Sequence, residues 1–127
     1  MSITGKEAQA NISATTWPYS STSPDGLVYR CRDWTEHPDG DSLIVANLST
    51  VAESTQAGYS QLTAMIQIDG IVVANQYDVA QQNGGGFVTS TAATETIKGN
   101  MVHTIRLCVA SRGVNAWRVT YSLSIIG

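Results

Sequence analysis

The sequence predicts an all-β protein, an antiparallel sandwich of two sheets, and three observations support this class. The stretch from Tyr59 to Val79 alternates apolar and polar residues up to position 68, which is the period of a strand with one buried face. Asp69-Gly70 interrupts this stretch, and Asp-Gly between apolar residues is typical of a two-residue hairpin turn, because both positions must accept a positive φ. The other apolar runs show no helical period and contain no proline. Such runs fold back on one another as layered antiparallel strands.

The remaining strands follow from turn signals taken in chain order. Asp25-Gly26 precedes a strand-like run at 27–34, and a polar loop rich in acidic residues separates that run from the next. The glycine-rich segment 81–86 reads as a flexible connection, and Arg112-Gly113 turns the chain before its last strand. The predicted strands cover 27–34, 42–53, 59–68, 71–79, 87–97, 102–111 and 116–126. Seven or eight strands at this spacing favour a jelly roll, with one sandwich domain at 25–127.

Residues 1–24 are predicted to form an N-terminal arm outside that domain. They show no sustained period and are rich in Ser, Thr and Ala. Trp17, Pro18 and Tyr19 are the expected anchor, because aromatic side chains provide a large contact area at a small cost in conformational entropy. Two alternatives stay open at this point: the arm binds a neighbouring chain, or it forms a first strand on its own sheet.

Composition excludes several classes of function. Only 13% of the residues are charged, the net charge is −3, and the arginines are scattered, so nucleic-acid binding is not expected. The first twenty residues lack a continuous apolar run, so neither a signal peptide nor a membrane span is predicted. Synthesis in a cytoplasm follows, and Cys31 and Cys108 are therefore expected to be free buried thiols in preference to a disulfide. A surface so poor in charge suits a protein that lies against other proteins.

No pattern in the chain points to catalysis. The motifs of nucleotide-binding loops, zinc proteases and serine hydrolases are absent from the sequence. Of the two histidines, His103 begins a predicted strand and His37 lies in the acidic loop, so neither has an evident nucleophile beside it. We expect no enzyme activity, no cofactor and no bound metal.

The acidic loop is the one candidate ligand site. Its candidate residues are Trp34, Glu36, Asp39 and Asp41. An exposed Trp beside carboxylates could stack on a sugar ring, and clustered carboxylates could bind Ca²⁺ or act as a hydrolytic pair, although the spacing does not match a calcium-binding loop. The simpler interpretation is a solvated acidic loop with Trp34 capping the core, and we favour it.

The order of several motifs resembles a known family. These motifs are the segments DGDSLIVA (39–46), IDGIVVA (68–74), a glycine-rich loop, HTIRL (103–107) and the closing WRVTYSLSIIG (117–127). In this order they resemble the TNF-like or C1q-like jelly-roll modules of bacteriophage virion proteins. The resemblance covers about residues 39–127 and leaves the N-terminal arm unexplained.

That resemblance implies a function and an assembly. It implies a homotrimer whose terminal strands pack around a threefold axis, and a capsid decoration protein that binds the major capsid protein of an assembled bacteriophage shell. The protein would be made in the host cytoplasm and would end in the virion. The alternative that it implies is a receptor-binding or glycan-binding knob of a phage fibre or tail. For the threefold axis, the face around Met65 and the exposed side of the final strand are the candidates.

Overall fold

The chain forms two antiparallel β-sheets, and a computed structural model describes residues 2–3, 9–13, 17–22, 27–55, 59–81 and 87–127. The ten strands are β1 (Ser2–Ile3), β2 (Gln9–Ser13), β3 (Tyr19–Thr22), β4 (Val28–Glu36), β5 (Ser42–Thr55), β6 (Tyr59–Ile68), β7 (Ile71–Gln81), β8 (Phe87–Ile97), β9 (His103–Arg112) and β10 (Val114–Ile126). The all-β prediction is confirmed.

The strands are divided equally between the two sheets. Sheet A has the order β1-β10-β5-β8, with β2 pairing β10, and sheet B has the order β3-β4-β9-β6-β7. From β4 onward, consecutive strands leave one sheet for the other at every connection except the β6–β7 hairpin. Apart from the pairs β3–β4 and β6–β7, neighbours in a sheet are therefore distant in sequence. This is the arrangement of a jelly roll, and the predicted architecture is confirmed.

The core lies between the sheets because each strand buries alternate side chains. Ile44, Ala46 and Leu48 of β5 point inward, as do Ile66 of β6 and Leu107 of β9, all of them fully buried. Tyr121 of β10 joins this layer and contacts two tryptophan rings. The period of two that the sequence shows is thus the alternation between core and surface.

The central hairpin has the turn that its sequence predicts. Asp69 and Gly70 both have a positive φ, of 53° and 81°, and β6 pairs with β7 on either side of them. The pairing shifts register between Ile66 and Gln67, where Val73 of β7 is left as an extra residue. This bulge locally interrupts the ladder of an edge strand.

The sequence left open whether the start of the chain binds a neighbouring chain or forms a strand on its own sheet, and the structure shows the second alternative. β1 and β2 pair with β10, and β3 pairs with β4, so the described segments of 1–24 are strands of the chain's own sheets. The expected boundary between residues 24 and 25 lies outside the described residues, as do residues 82–86 of the glycine-rich connection. Short polar strands at sheet edges carry little hydrophobic period, which is why the pattern missed them.

The expectation of free thiols is wrong. Cys31 of β4 and Cys108 of β9 lie directly opposite each other in register and form a disulfide, with 4.1 Å between their Cα atoms. The sequence shows two strand-like runs but not that these runs are neighbours, so it could not bring the two sulfur atoms together. Within the described residues, no helix has the length and apolarity needed to cross a membrane.

Candidate interaction surface

Between positions 43 and 51 of β5, the outer face of sheet A is nearly free of charge. Even-numbered residues of β5 and odd-numbered residues of β8 and β10 point toward the core, so the opposite set lies outside. The outward positions form five rows across β10, β5 and β8: Arg118, Val51 and Val88; Thr120, Ser49 and Ser90; Ser122, Asn47 and Ala92; Ser124, Val45 and Thr94; Ile126, Leu43 and Thr96. Arg118 is the one charged residue among these fifteen positions. We call these fifteen residues the uncharged face.

The middle of the uncharged face is a shallow depression of roughly 500 Å³. Of the nine residues that line it, Leu48, Thr91 and Tyr121 point toward the core, and the outward-pointing ones are short and polar apart from one alanine: Asn47, Ser49, Ser90, Ala92, Thr120 and Ser122. The Asn47 amide donates a hydrogen bond to the Ser122 hydroxyl at 3.2 Å, which orients both groups across β5 and β10. Hydroxyl and amide groups of this kind can hydrogen-bond to a partner without requiring a counter-charge.

Larger apolar residues stand at the two ends of this depression. Val51 and Val88 lie opposite each other at one end, and 55% of Val88 is exposed. Leu43 and Ile126 pair at the other end, where Ile126 is 51% exposed. A partner seated on the face would bury apolar groups at both ends and polar groups in the middle, a mixed composition that is common in protein interfaces.

The outer face of sheet B has a different character. Asp33 of β4 and Arg106 of β9 form a bidentate ion pair on it, with N to O distances of 2.6 and 2.8 Å. The disulfide lies on the same face, beside Met65 of β6, which is partly buried. The charges of Asp33 and Arg106 are therefore paired within the chain, and the face around Met65 is the weaker of the two candidates for a subunit contact.

The expected arm anchor has a different role in the structure. Trp17 is only 3% exposed, and its ring packs edge-on against Tyr121 with 5.8 Å between the ring centres. It therefore belongs to the chain's own core, which corrects its assignment as a partner-binding residue. Pro18 beside it is exposed, and the side chain of Tyr19 lies outside the described residues.

The residues of the candidate ligand loop do not form a common site, because Trp34 and Asp41 contact different parts of the chain. Trp34 packs against Tyr121 at 5.2 Å between ring centres, and the Arg32 guanidinium covers it at 5.1 Å, so no open tryptophan face is presented to a sugar. Asp41 accepts a hydrogen bond from the Gly99 amide at 2.9 Å, which gives it a structural partner in the next loop.

The other two acidic residues of this loop are not brought into a site. Asp39 is exposed, and Glu36 is partly buried at the end of β4. Among the described residues, no three acidic, histidine or cysteine side chains converge as ligands for a metal ion. The structure therefore supports the simpler interpretation of Trp34 as a residue that caps the core.

Sequence reasoning found part of the uncharged face and missed most of it. The exposed side of β10 was a candidate because its alternation is clear in the sequence. The sequence did not indicate that Asn47 of β5 and Ala92 of β8 belong to the same face. Their strands lie in one sheet with β10 only because of the strand order of the folded protein. Serine, threonine and alanine on a strand also give no signal of binding by themselves.

Comparisons with known proteins bear on the fold. No family model matches the chain, and no curated protein matches it. Among solved structures, one of infectious bursal disease virus, Gx strain, is similar over 98% of this chain and 32% of that chain, at 17% identity and a TM-score of 0.48. Dimeric latent PorU from Porphyromonas gingivalis is similar over 98% of this chain and 12% of that chain, at 10% identity and a TM-score of 0.51. Eiger TNF from S. frugiperda is similar over 98% of this chain and 88% of that chain, at 10% identity and a TM-score of 0.38.

These similarities concern the fold. The chain spans about a third of the length of the viral protein and about an eighth of PorU. At such low identity, a shared sandwich carries no information about the ligand or the partner.

Proposed function

We propose that this chain is a structural protein of a bacteriophage particle, a capsid decoration protein that binds the assembled shell as a trimer. The observation that carries the proposal is the uncharged face of sheet A, with one charged residue in fifteen outward positions. In soluble domains about a quarter of all residues are charged, so a solvated sheet face would normally hold several charged residues. A face that is covered in the assembly has no need of them.

The size of the uncharged face is consistent with a subunit contact. Ten residues along each strand and three strands across give a projected area of about 33 Å by 14 Å, or roughly 460 Å². The strands β1 and β2, with two and five residues, extend the same sheet beyond β10 and bring the projected area to roughly 570 Å². Stable interfaces bury about 800 Å² on each partner, so this one face supplies most of what a subunit contact requires.

A role in assembly, without catalysis, also agrees with the sequence. The closing motifs resemble those of phage jelly-roll modules, which are binding and structural units, and the same closing strand β10 lies in the middle of the uncharged face. In the proposed trimer this face lies between subunits, and the remaining surface of each subunit binds the major capsid protein.

The test uses phage particles that lack this chain, made by deleting its gene. Purified wild-type chain is added back, and its occupancy on sedimented particles is measured by gel densitometry. Ala92→Arg places a charge in the centre of the uncharged face at a position that is already exposed, so it leaves the monomer folded. Asn75→Arg adds the same charge at an exposed position of β7 in sheet B and is the matched control.

We expect full occupancy for the wild type and for Asn75→Arg, and at least a tenfold weaker attachment for Ala92→Arg together with loss of the trimer. Absence of wild-type chain from the particles would refute the proposed function. Full attachment of Ala92→Arg would refute the role of the face.

A glycan-binding knob is the second candidate, and one observation favours it. The depression on the uncharged face presents four hydroxyl groups and one amide, groups that hydrogen-bond well to sugar hydroxyls. A glycan array separates the two functions. If the chain binds a specific glycan, and Ser90→Ala and Asn47→Ala abolish this binding, the glycan-binding function replaces the assembly function. An array without hits would exclude the glycan-binding function.

A further inference from the structure

One end of the sandwich is held together by a buried histidine. His103, at the start of β9, is 4% exposed, and both of its ring nitrogens have partners. Nδ1 lies 2.6 Å from the Asp69 carboxylate in the β6–β7 turn, and Nε2 lies 2.7 Å from the carbonyl oxygen of Lys98. The ring therefore joins the turn to the connection between β8 and β9.

The same turn is fastened to β9 by its backbone. The Asp69 amide donates to the carbonyl oxygen of Thr104 at 2.8 Å, and the Thr104 amide donates to the second oxygen of the Asp69 carboxylate at 2.9 Å. The Asp69 carboxylate thus accepts from His103 and Thr104 together. Loss of the Asp69 charge weakens both attachments of the turn, and loss of the histidine proton weakens the attachment to His103.

The connection between β8 and β9 also contacts a third segment, the loop between β4 and β5. The Asn100 amide donates to the carbonyl oxygen of Pro38 at 2.7 Å, and Gly99 lies so close to the Gly40 backbone that a Cβ atom at 99 would overlap it. The loop between β4 and β5 is therefore locked to the loop that His103 holds. Three connections at this end depend on one imidazole ring.

The geometry requires that the ring be protonated. Both partners of His103 are acceptors, the Asp69 carboxylate and a carbonyl oxygen, so both ring nitrogens must donate. A neutral imidazole has one N–H, and either tautomer would leave a lone pair of the buried ring facing an acceptor. Only the imidazolium satisfies both contacts.

The charges around the ring favour its cationic form. Glu36 lies directly opposite His103 in the register of β4 and β9, and Asp69 faces it from the turn. In the adjoining loop, Asp41 forms a 3.9 Å ion pair with the Lys98 ammonium group, which offsets that positive charge. His37 and Asp39 are the other ionisable residues of these loops, and both are exposed.

We propose that this end of the fold is a proton-controlled clip, in which protonated His103 holds the three connections together and its deprotonation releases them. The proposal is independent of the assembly role, because it concerns the order of the loops and not the uncharged face. Exposed Ile71, Met101 and Val102 surround the clip, so its release changes the shape of an apolar end of the molecule.

The direction of the pH dependence follows from the two groups. The hydrogen bond to Asp69 outweighs the effect of burial and raises the pKa of His103, with the Lys98 carbonyl adding to it. For Asp69, burial opposes ionisation, but the hydrogen bonds from His103 and Thr104 lower its pKa overall. Stability from His103 is fully present below about pH 6.5 and is lost as pH rises through its raised pKa. Stability from Asp69 is present above about pH 4 and is lost at lower pH, so the clip is strongest between these limits.

The experiment follows both histidines of the chain by NMR from pH 5 to pH 9. With two histidines in the sequence, His37→Gln assigns the two signals. We expect His103 to titrate above pH 6.5, the ordinary value for histidine, and Asp69→Asn to lower its titration point toward that value. Titration of His103 at or below about pH 6.5 in the wild type would overturn the proposal.

Hydrogen exchange supplies the structural readout on the same samples. After correction for the intrinsic pH dependence of exchange, protection of the Asp69 and Thr104 amides should fall about tenfold for each unit by which the pKa of folded His103 exceeds its unfolded value. Protection of Leu107, in the middle of β9, should not follow this step. His103→Gln should remove the step, and if that variant fails to fold, Asp69→Asn serves in its place. Unchanged protection at Asp69 and Thr104 through the titration would show that the clip does not open.

Discussion

The disulfide between Cys31 and Cys108 should contribute a large part of the stability of this domain. The two residues are 77 positions apart in sequence, so the bond closes a long loop in the unfolded chain. Chain-entropy arguments give about 4.5 kcal/mol at 25 °C for a loop of this length. A typical domain has a total stability of roughly 5–15 kcal/mol, so the bond would account for about a third of that stability or more.

The assay is equilibrium unfolding in urea of the oxidised wild type, the reduced wild type and Cys31→Ala/Cys108→Ala. The reduced protein and the double variant should both lose about 3–5 kcal/mol, and they should agree with each other, because both lack the same covalent link. Thiol titration of the unfolded wild type without reductant should find no free thiol. A loss below about 1 kcal/mol, or two free thiols in the native protein, would refute the reasoning.

Three further predictions test the core, the loop contact and the uncharged face. Trp17→Ala should destabilise the fold by about 3–5 kcal/mol in urea, because it empties a buried site against Tyr121; an unchanged stability would return Trp17 to a partner-binding role. Gly99→Ala should lower the melting temperature measurably by pushing against the Gly40 backbone, whereas Gly40→Ala, which meets no atom within 4 Å, should change it much less; equal effects would contradict the close approach. At a protein concentration low enough to dissociate the wild-type trimer, Ala92→Arg should have a free energy of unfolding in urea within about 0.5 kcal/mol of the wild type, since the position is exposed, and a larger loss would mean that it disrupts the monomer.

The sequence predicted those parts of the fold that depend on local periodicity. The turn at Asp69-Gly70 and the alternation in β5, β6, β9 and β10 are properties of neighbouring residues. Each of these strands therefore coincides with the run of residues that shows the alternation. The short strands β1, β2 and β3 are mostly polar and lie at sheet edges, so their formation depends on the partner strand and not on a pattern of their own.

The candidate sites were harder to predict because they depend on which strands meet. Trp34 was expected at the surface as one alternative because it adjoins the acidic loop. In the folded chain the Arg32 guanidinium lies over the Trp34 ring, and the ring packs against Tyr121 in the core. The Cys31–Cys108 bond and the His103–Asp69 contact likewise need the order of the strands in sheet B, which no single stretch of sequence contains.

The central claim is that the uncharged face of sheet A is buried between copies of this chain, and native mass spectrometry tests it most directly. With a subunit mass of 13.5 kDa, the wild type should appear as a trimer of about 40 kDa. Ala92→Arg should appear at the mass of one subunit, and Asn75→Arg should remain trimeric. A wild type found as a single subunit at micromolar concentration, or an Ala92→Arg trimer as stable as the wild type, would contradict the claim.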